Sequence, residues 1–288
     1  MHAPLSLRSL FLFGLACSVV WPARAAFQAN IEYGTASGES LKLDASVPEG
    51  NGPWPVVILV HGGGFTAGDK SGGPKKGYMA PMHEPLTKAG FAWFSINYRL
   101  APKYHYPAAV EDLETAIRWV KAHAAQYHLD LRRIALAGES AGSEMVAMAV
   151  MRADESTRVA AVIPFYLPAD LLEDPIKTGV INPSRSALIG RTEFNDEARA
   201  LLRAASPMYF VKPGLPPFLL VHGTADQSVP YQQSVTMQAK LRAAGVPCEL
   251  ITIPGGVHGM LSWDTVAPGY KDQVVAWLVK TLDIPKAK

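Results

Sequence analysis

Cysteine, surplus charge of one sign and apolar runs of bilayer length are scarce in this 288-residue sequence, and each scarcity excludes something. The apolar stretch at residues 10–20 would cover about 16 Å as a helix, roughly half a bilayer core, so no membrane span is predicted. Arg8 precedes that stretch and Ala23-Arg24-Ala25 follows it as an A-x-A cleavage site. This is the layout of an export signal over residues 1–25, which predicts a secreted or periplasmic protein. A buried first helix is the alternative. Lipid anchoring at Cys17 is another, against which Gly14 stands where a lipobox usually carries Leu.

Removal of that leader takes Arg8 and Arg24 with it and leaves 25 basic against 25 acidic side chains, a net charge of zero. No basic run is interleaved with aromatics, so nucleic acid is not an expected partner. Of the two cysteines only Cys248 would survive cleavage, which excludes an intramolecular disulfide in the mature chain. Cys248 lies in a strand-like run at residues 248–253 and reads as a small core residue. No Cys/His cluster has metal-ligand spacing, and no metal or organic cofactor is expected. There is no internal repeat and no low-complexity tract, and nothing sets the oligomeric state.

What is present is core material. Hydrophobic residues make up 49% and charged residues 18%, enough for one well-buried domain over residues 26–288 and too little charge for a disordered chain. Two alternating stretches, residues 27–33 and 41–47, predict antiparallel strands. Continuous apolar runs follow at 56–60, 91–96, 134–137, 159–165 and 218–221. Such runs are strands buried on both faces, the signature of a parallel sheet covered by helices. Helix-spaced stretches separate them at 108–125, 141–151, 234–244 and 270–282. The alternation predicts a doubly wound, mostly parallel α/β sheet of about eight strands. Residues 168–206 break the rhythm. A connection that long usually has work to do, so it is read as a small cap over the sheet's carboxyl edge, with an ordinary helix on long flanks as the alternative.

Four segments carry chemistry. Gly138-Glu139-Ser140-Ala141-Gly142 matches G-x-S-x-G between a predicted strand and a predicted helix. A turn that sharp strains the serine backbone and stands its hydroxyl clear at the helix N-terminus. His61-Gly62-Gly63-Gly64-Phe65 follows the strand at 56–60. Three glycines there make sense if bare amides must approach a ligand, and Gly63, Gly64 and Ala141 are assigned as donors to an oxyanion. His61 is read as structural. Asp226 lies in the turn after the strand at 218–221 and is the expected acid, with Asp170 as its rival. His258, in a glycine-rich loop after the last strand, is the expected base, and His222 is read as structural. The chain order Ser140, Asp226, His258 is that of the α/β-hydrolases. Phe65, Tyr166 and Trp263 are candidate substrate contacts that packing alone would also explain. Arg99 and Asp112 are expected to pair within the scaffold.

Residues 61–65, 98–102, 107–112 and 138–142 together resemble the hormone-sensitive-lipase-like carboxylesterases, and equally the bacterial acetyl-xylan and feruloyl esterases. The resemblance runs from about Leu41 to Leu278. It implies an α/β-hydrolase fold and a serine esterase acting on short-chain acyl esters of small molecules or polysaccharide. It also implies Ser140 as nucleophile, Asp226 and His258 completing a triad, and Gly63, Gly64 and Ala141 forming the oxyanion hole. Glu139 departs from the usual Asp, and Ser143 from a frequent Gly. Little chain precedes Val56 after cleavage, which resembles the polysaccharide-deacylating branch. A serine peptidase, a lactone hydrolase and a non-catalytic binding protein on the same fold are the alternatives.

Overall fold

Alternation along the strand Trp54–Val60 sends Val56, Ile58 and Val60 into one apolar cluster and Val57 and Leu59 into another, and all five are fully buried. A strand apolar on both faces has to be covered on both. The computed structural model describes residues 25–72 and 78–284. Residues 1–24, which hold all of the expected leader but Ala25 and include Cys17, residues 73–77 of the loop after the glycine run, and residues 285–288 lie outside the described residues.

Eight strands form one sheet: β1 (Ala25–Ala36), β2 (Glu39–Pro48), β3 (Trp54–Val60), β4 (Ala92–Ile96), β5 (Leu129–Glu139), β6 (Ala161–Phe165), β7 (Phe218–Gly223) and β8 (Cys248–Ile253). Their order is β1-β2-β4-β3-β5-β6-β7-β8. The six strands from β4 to the β8 edge are parallel, and the β1–β2 hairpin joins β4 antiparallel. This is the predicted doubly wound sheet.

The helices are α1 (His83–Lys88), α2 (Ala108–Ala122), α3 (Ala124–Tyr127), α4 (Ala141–Arg152), α5 (Glu173–Thr178), α6 (Pro183–Ile189), α7 (Asp196–Ala204), α8 (Gln232–Ala243), α9 (Trp263–Val266) and α10 (Tyr270–Thr281). Leu113 and Ile117 of α2, Met145 of α4 and Met237 of α8 cover one face of the sheet. Leu86 of α1 and Val274 and Trp277 of α10 cover the other. Helix α4 is buried along almost its whole length, as its mainly small and apolar residues allow, and the burial includes Glu144. Among the described residues no helix is long and apolar enough to cross a membrane.

Boundaries differ from the expected ones where polar residues interrupt a strand. β5 begins five residues before the apolar run, because Asp130, Arg132 and Arg133 mask its first half while Leu129 pairs with Trp54. α2 stops at Ala122 and the chain turns at His128, whose φ is +52°. Between β6 and β7 the segment expected as a cap holds α5, α6 and α7. Leu171, Leu188, Ala198 and Leu202 form a small apolar cluster there with Phe65, Ala101 and Ala141. Asn182 and Asn195 supply the N-cap oxygens of α6 and α7.

Candidate active site

Strand β5 ends at Glu139, and α4 begins at Ala141. The single residue between them, Ser140, takes φ +52° and ψ −119°, a conformation that costs an L residue about 1–3 kcal/mol. Its surroundings impose that turn. A Cβ at Gly138 would run into the Gly142 carbonyl, and one at Gly142 into the carbonyls of Val60 and His61. The Ser140 amide donates to Phe165 O at 3.1 Å. The Ser143 hydroxyl donates to Ser140 O at 2.5 Å, so the serine that replaces a glycine here fastens the turn.

The glycine run lies beside this turn. Gly63 and Gly64 have φ of +102° and +61°, and both line the cavity in front of Ser140. Among the described residues no protein acceptor takes the amide proton of either. The Ala141 amide belongs to the open first turn of α4. Gly63, Gly64 and Ala141 thus all line the cavity that Ser140 opens into. His61 is on the other side of the run, almost fully buried and stacked on Tyr98 with ring centres 4.3 Å apart. Burial pushes it down to about 4, so it stays neutral, and its Nδ1–H donates to Gly62 O at 2.8 Å. It is structural, as expected. Tyr98, which the sequence places only in the scaffold, donates to His61 O at 2.9 Å and lies 3.1 Å from Gly62 O, and so braces the loop from below.

Asp226 and His258 reach the serine from two later loops. Ser140 Oγ donates to His258 Nε2 at 3.0 Å, and His258 Nδ1 donates to Asp226 Oδ2 at 2.8 Å. The loops are sewn together: Thr224 N donates to Ile253 O, Ala225 N to Gly256 O, and Gly255 N to Thr224 Oγ1. Asp226 Oδ1 accepts the amides of Ser228 and Val229 at 2.8 and 2.9 Å. Burial alone would raise this carboxyl. Hydrogen bonds from His222, His258 and the Val229 amide outweigh that and hold it well below the usual carboxylate range. A fully ionised Asp226 fixes the Nδ1–H tautomer of His258 and leaves Nε2 as the acceptor for a serine proton.

The rivals are engaged elsewhere. Asp170 Oδ1 accepts the Leu172 amide at 2.9 Å and Oδ2 the Tyr209 hydroxyl at 3.1 Å. His222 donates from Nε2 to Val229 O at 3.0 Å, accepts Ser234 Oγ at Nδ1, and lies 3.4 Å from Asp226 Oδ2. It supports the acid rather than the serine.

The cavity measures about 650 Å³, within the usual range for small-ligand sites. Phe65 and Tyr166 both line it. The Tyr166 ring also meets His258 edge-on at 4.7 Å. Trp263 is not among the residues that line the cavity: it is fully buried behind Tyr166, and its Nε1 donates to Val257 O at 2.9 Å. It holds the histidine loop, and of its two readings packing is the one the structure bears out. Asn182, Ser184 and Arg185 from α6 and its cap also line the wall, as do Val229, Met260 and Leu261. Nothing in their sequence pattern marks them, because they arrive from separate loops. Arg99 and Asp112 form the expected scaffold pair, with Arg99 Nη2 2.7 Å from Asp112 Oδ1. Cys248 is buried and free, and burial pushes its thiol up to about 12.

A doubly wound sheet that gathers a serine, a histidine and an aspartate at its carboxyl edge defines an α/β-hydrolase. The family model described as BD-FAE matches residues 43–241, and the chain belongs to that family. The esterase LipQ of Mycobacterium tuberculosis is 32% identical over 234 residues, which are 77% of this chain and 54% of LipQ. The carboxylesterase NlhH of the same organism is 31% identical, over 74% of this chain and 69% of its own. The chain spans about half the length of the curated relatives LipQ, LipM and LipC, at 54%, 46% and 60%. Among solved structures, a truncated carbohydrate esterase from gut microbiota superposes with a TM-score of 0.76 at 25% identity, covering 91% of this chain and 98% of that one. Esterase 2 of Thermogutta terrifontis with propionate bound shares the fold, with a TM-score of 0.72 at 24% identity over 92% of this chain and 97% of that one.

Proposed function

We propose that this protein is a secreted serine carboxylesterase that hydrolyses short-chain acyl esters through an acyl-enzyme. The observation that carries the reading is the continuous hydrogen-bond path from Ser140 Oγ through His258 to Asp226, at 3.0 and 2.8 Å. In the first half-reaction His258 Nε2 takes the Ser140 proton as Oγ bonds to the ester carbonyl carbon. The carbonyl π pair moves onto oxygen, where the amides of Gly63, Gly64 and Ala141 meet it. Collapse breaks the bond to the alcohol oxygen, which leaves with the proton from His258. Water then repeats the sequence on the acyl-enzyme and releases the acid. No cofactor enters either step. The helices α5, α6 and α7 act as the cap that bounds the acyl and alcohol pockets.

Acetyl or feruloyl groups on plant polysaccharide are the proposed natural substrates. The likeness to a carbohydrate esterase from gut microbiota supports this, as does the reading of residues 1–25 as an export leader. Substitution of Ser140 by Ala is expected to abolish turnover of 4-nitrophenyl acetate, and a variant that keeps the wild-type rate would remove the assignment. Rates on acetate to decanoate esters, methyl ferulate and acetylated xylan then identify the acyl and alcohol preference.

A further inference from the structure

Among the described residues that line the cavity, Arg185 is the one with a permanently cationic side chain. That side chain is only 9% exposed. Among the described residues its single side-chain bond runs from Nη1 to Asp174 Oδ2 at 2.8 Å, while Asp174 itself is half open to solvent. A guanidinium has five N–H donors in a planar fork, and among the described residues Nε and Nη2 have no protein acceptor. Neither nitrogen is among the fully sealed atoms that lack a partner, so both are placed to meet an anion or water. Its backbone is fixed, because Asn182 Oδ1 accepts the Arg185 amide at 2.9 Å. Its neighbour Ser184, whose hydroxyl lies close to Gly64, lines the same cavity. Glu139, the carboxyl in the same wall, is already turned onto the Gly62 amide.

We propose that Arg185 selects esters that carry a carboxylate in their acyl or alcohol portion, pairing with it as a two-toothed fork. This rests on the esterase reading above and goes beyond it by naming the charge class of the substrate. Val229, Met260 and Leu261 then take the carbon skeleton of the same molecule. A carboxylate at this position replaces water on donors that Asp174 does not reach.

Two pairs of esters test it. 4-Nitrophenyl hemisuccinate against 4-nitrophenyl butyrate puts the carboxylate on the acyl side. 4-Acetoxybenzoate against phenyl acetate puts it on the alcohol side. Each kcat/KM is divided by the hydroxide rate constant of the same ester. The wild-type protein is expected to favour the anionic member of at least one pair by about tenfold. Arg185→Gln brings that ratio toward one, Arg185→Lys keeps part of it, and Asp174→Asn keeps or raises it by freeing the fork. A ratio at or below one in both pairs for the wild-type protein overturns the inference, as does a ratio that survives Arg185→Gln. In either case turnover of the neutral esters leaves the esterase reading standing, whereas no turnover of any ester brings both down. Should Arg185→Gln not fold, the wild-type ratios decide alone.

Discussion

The Glu139 carboxylate accepts the amide proton of Gly62 at 2.5 Å and so ties the residue before the serine to the glycine run, where the proposed oxyanion donors lie. Burial raises this carboxyl above its ordinary value, against hydrogen bonds from Tyr166 and Gly62 that lower it. Substitution of Glu139 by Ala is expected to strand a buried amide, at a cost of about 1–3 kcal/mol in unfolding free energy. Because Gly63 and Gly64 then lose their footing opposite the transition-state oxygen, kcat should fall more than KM rises. Urea unfolding with steady-state kinetics checks both, and Glu139→Gln, which keeps an oxygen acceptor, should recover most of each.

Asp226 has two separable duties. Oδ2 orients His258, and Oδ1 closes the turn through the Ser228 and Val229 amides. Asp226→Asn is expected to slow acylation about 10³–10⁴-fold by upsetting the imidazole tautomer. Asp226→Ala should lose comparable activity and also about 1–3 kcal/mol of stability, since the buried Val229 amide loses its acceptor. Single-turnover acylation and chemical unfolding of the two variants separate the duties. Equal stability losses would show that the turn does not depend on Oδ1.

His61 and His83 predict an acid sensitivity unconnected with turnover. Burial lowers both to about 4 from an ordinary 6.5. His83 is stacked on Trp93, and its Nε2 is buried without a partner. Above pH 6.5 both states are neutral and the fold has its full stability. As pH falls from 6.5 toward 4 the unfolded chain takes up protons that the folded one refuses, so stability is lost across that window, on the order of 2 kcal/mol for each histidine. Urea midpoints between pH 7 and pH 4.5 should therefore drop for the wild-type protein and drop by markedly less for His83→Phe. Identical pH slopes would sink this account.

The elements were legible because each is written in local periodicity. The run at 56–60 is apolar on both faces, and such a strand belongs in the middle of a parallel sheet. The strand-turn-helix context of Ser140 is likewise a matter of neighbouring residues: glycines where carbonyls pass, and small apolar residues where α4 is buried. The first half of β5 was hidden for the converse reason, since Arg132 and Arg133 point outward on a strand held by backbone pairing. For Trp263 the sequence left substrate contact and plain packing open, and the structure decides for packing. An aromatic near a catalytic loop looks the same in sequence whether it faces the ligand or the back of the loop, and only its bond to Val257 O distinguishes them.

By itself the sequence determined the doubly wound α/β class, the strained serine turn, the glycine run after the third strand and the order in which serine, acid and histidine occur. Those features depend on residues a few positions apart, where backbone sterics and side-chain period act directly. Only the tertiary structure decided that Asp226, and not Asp170, holds His258, that Glu139 binds the glycine run, and that Arg185 enters the cavity wall. Each of these joins groups on separate loops, up to 118 residues apart in the case of Ser140 and His258. Which loops meet follows from the strand order in the sheet and from the packing of α5 to α7 over its carboxyl edge. No local pattern encodes that, because it is a property of how all eight strands are assembled.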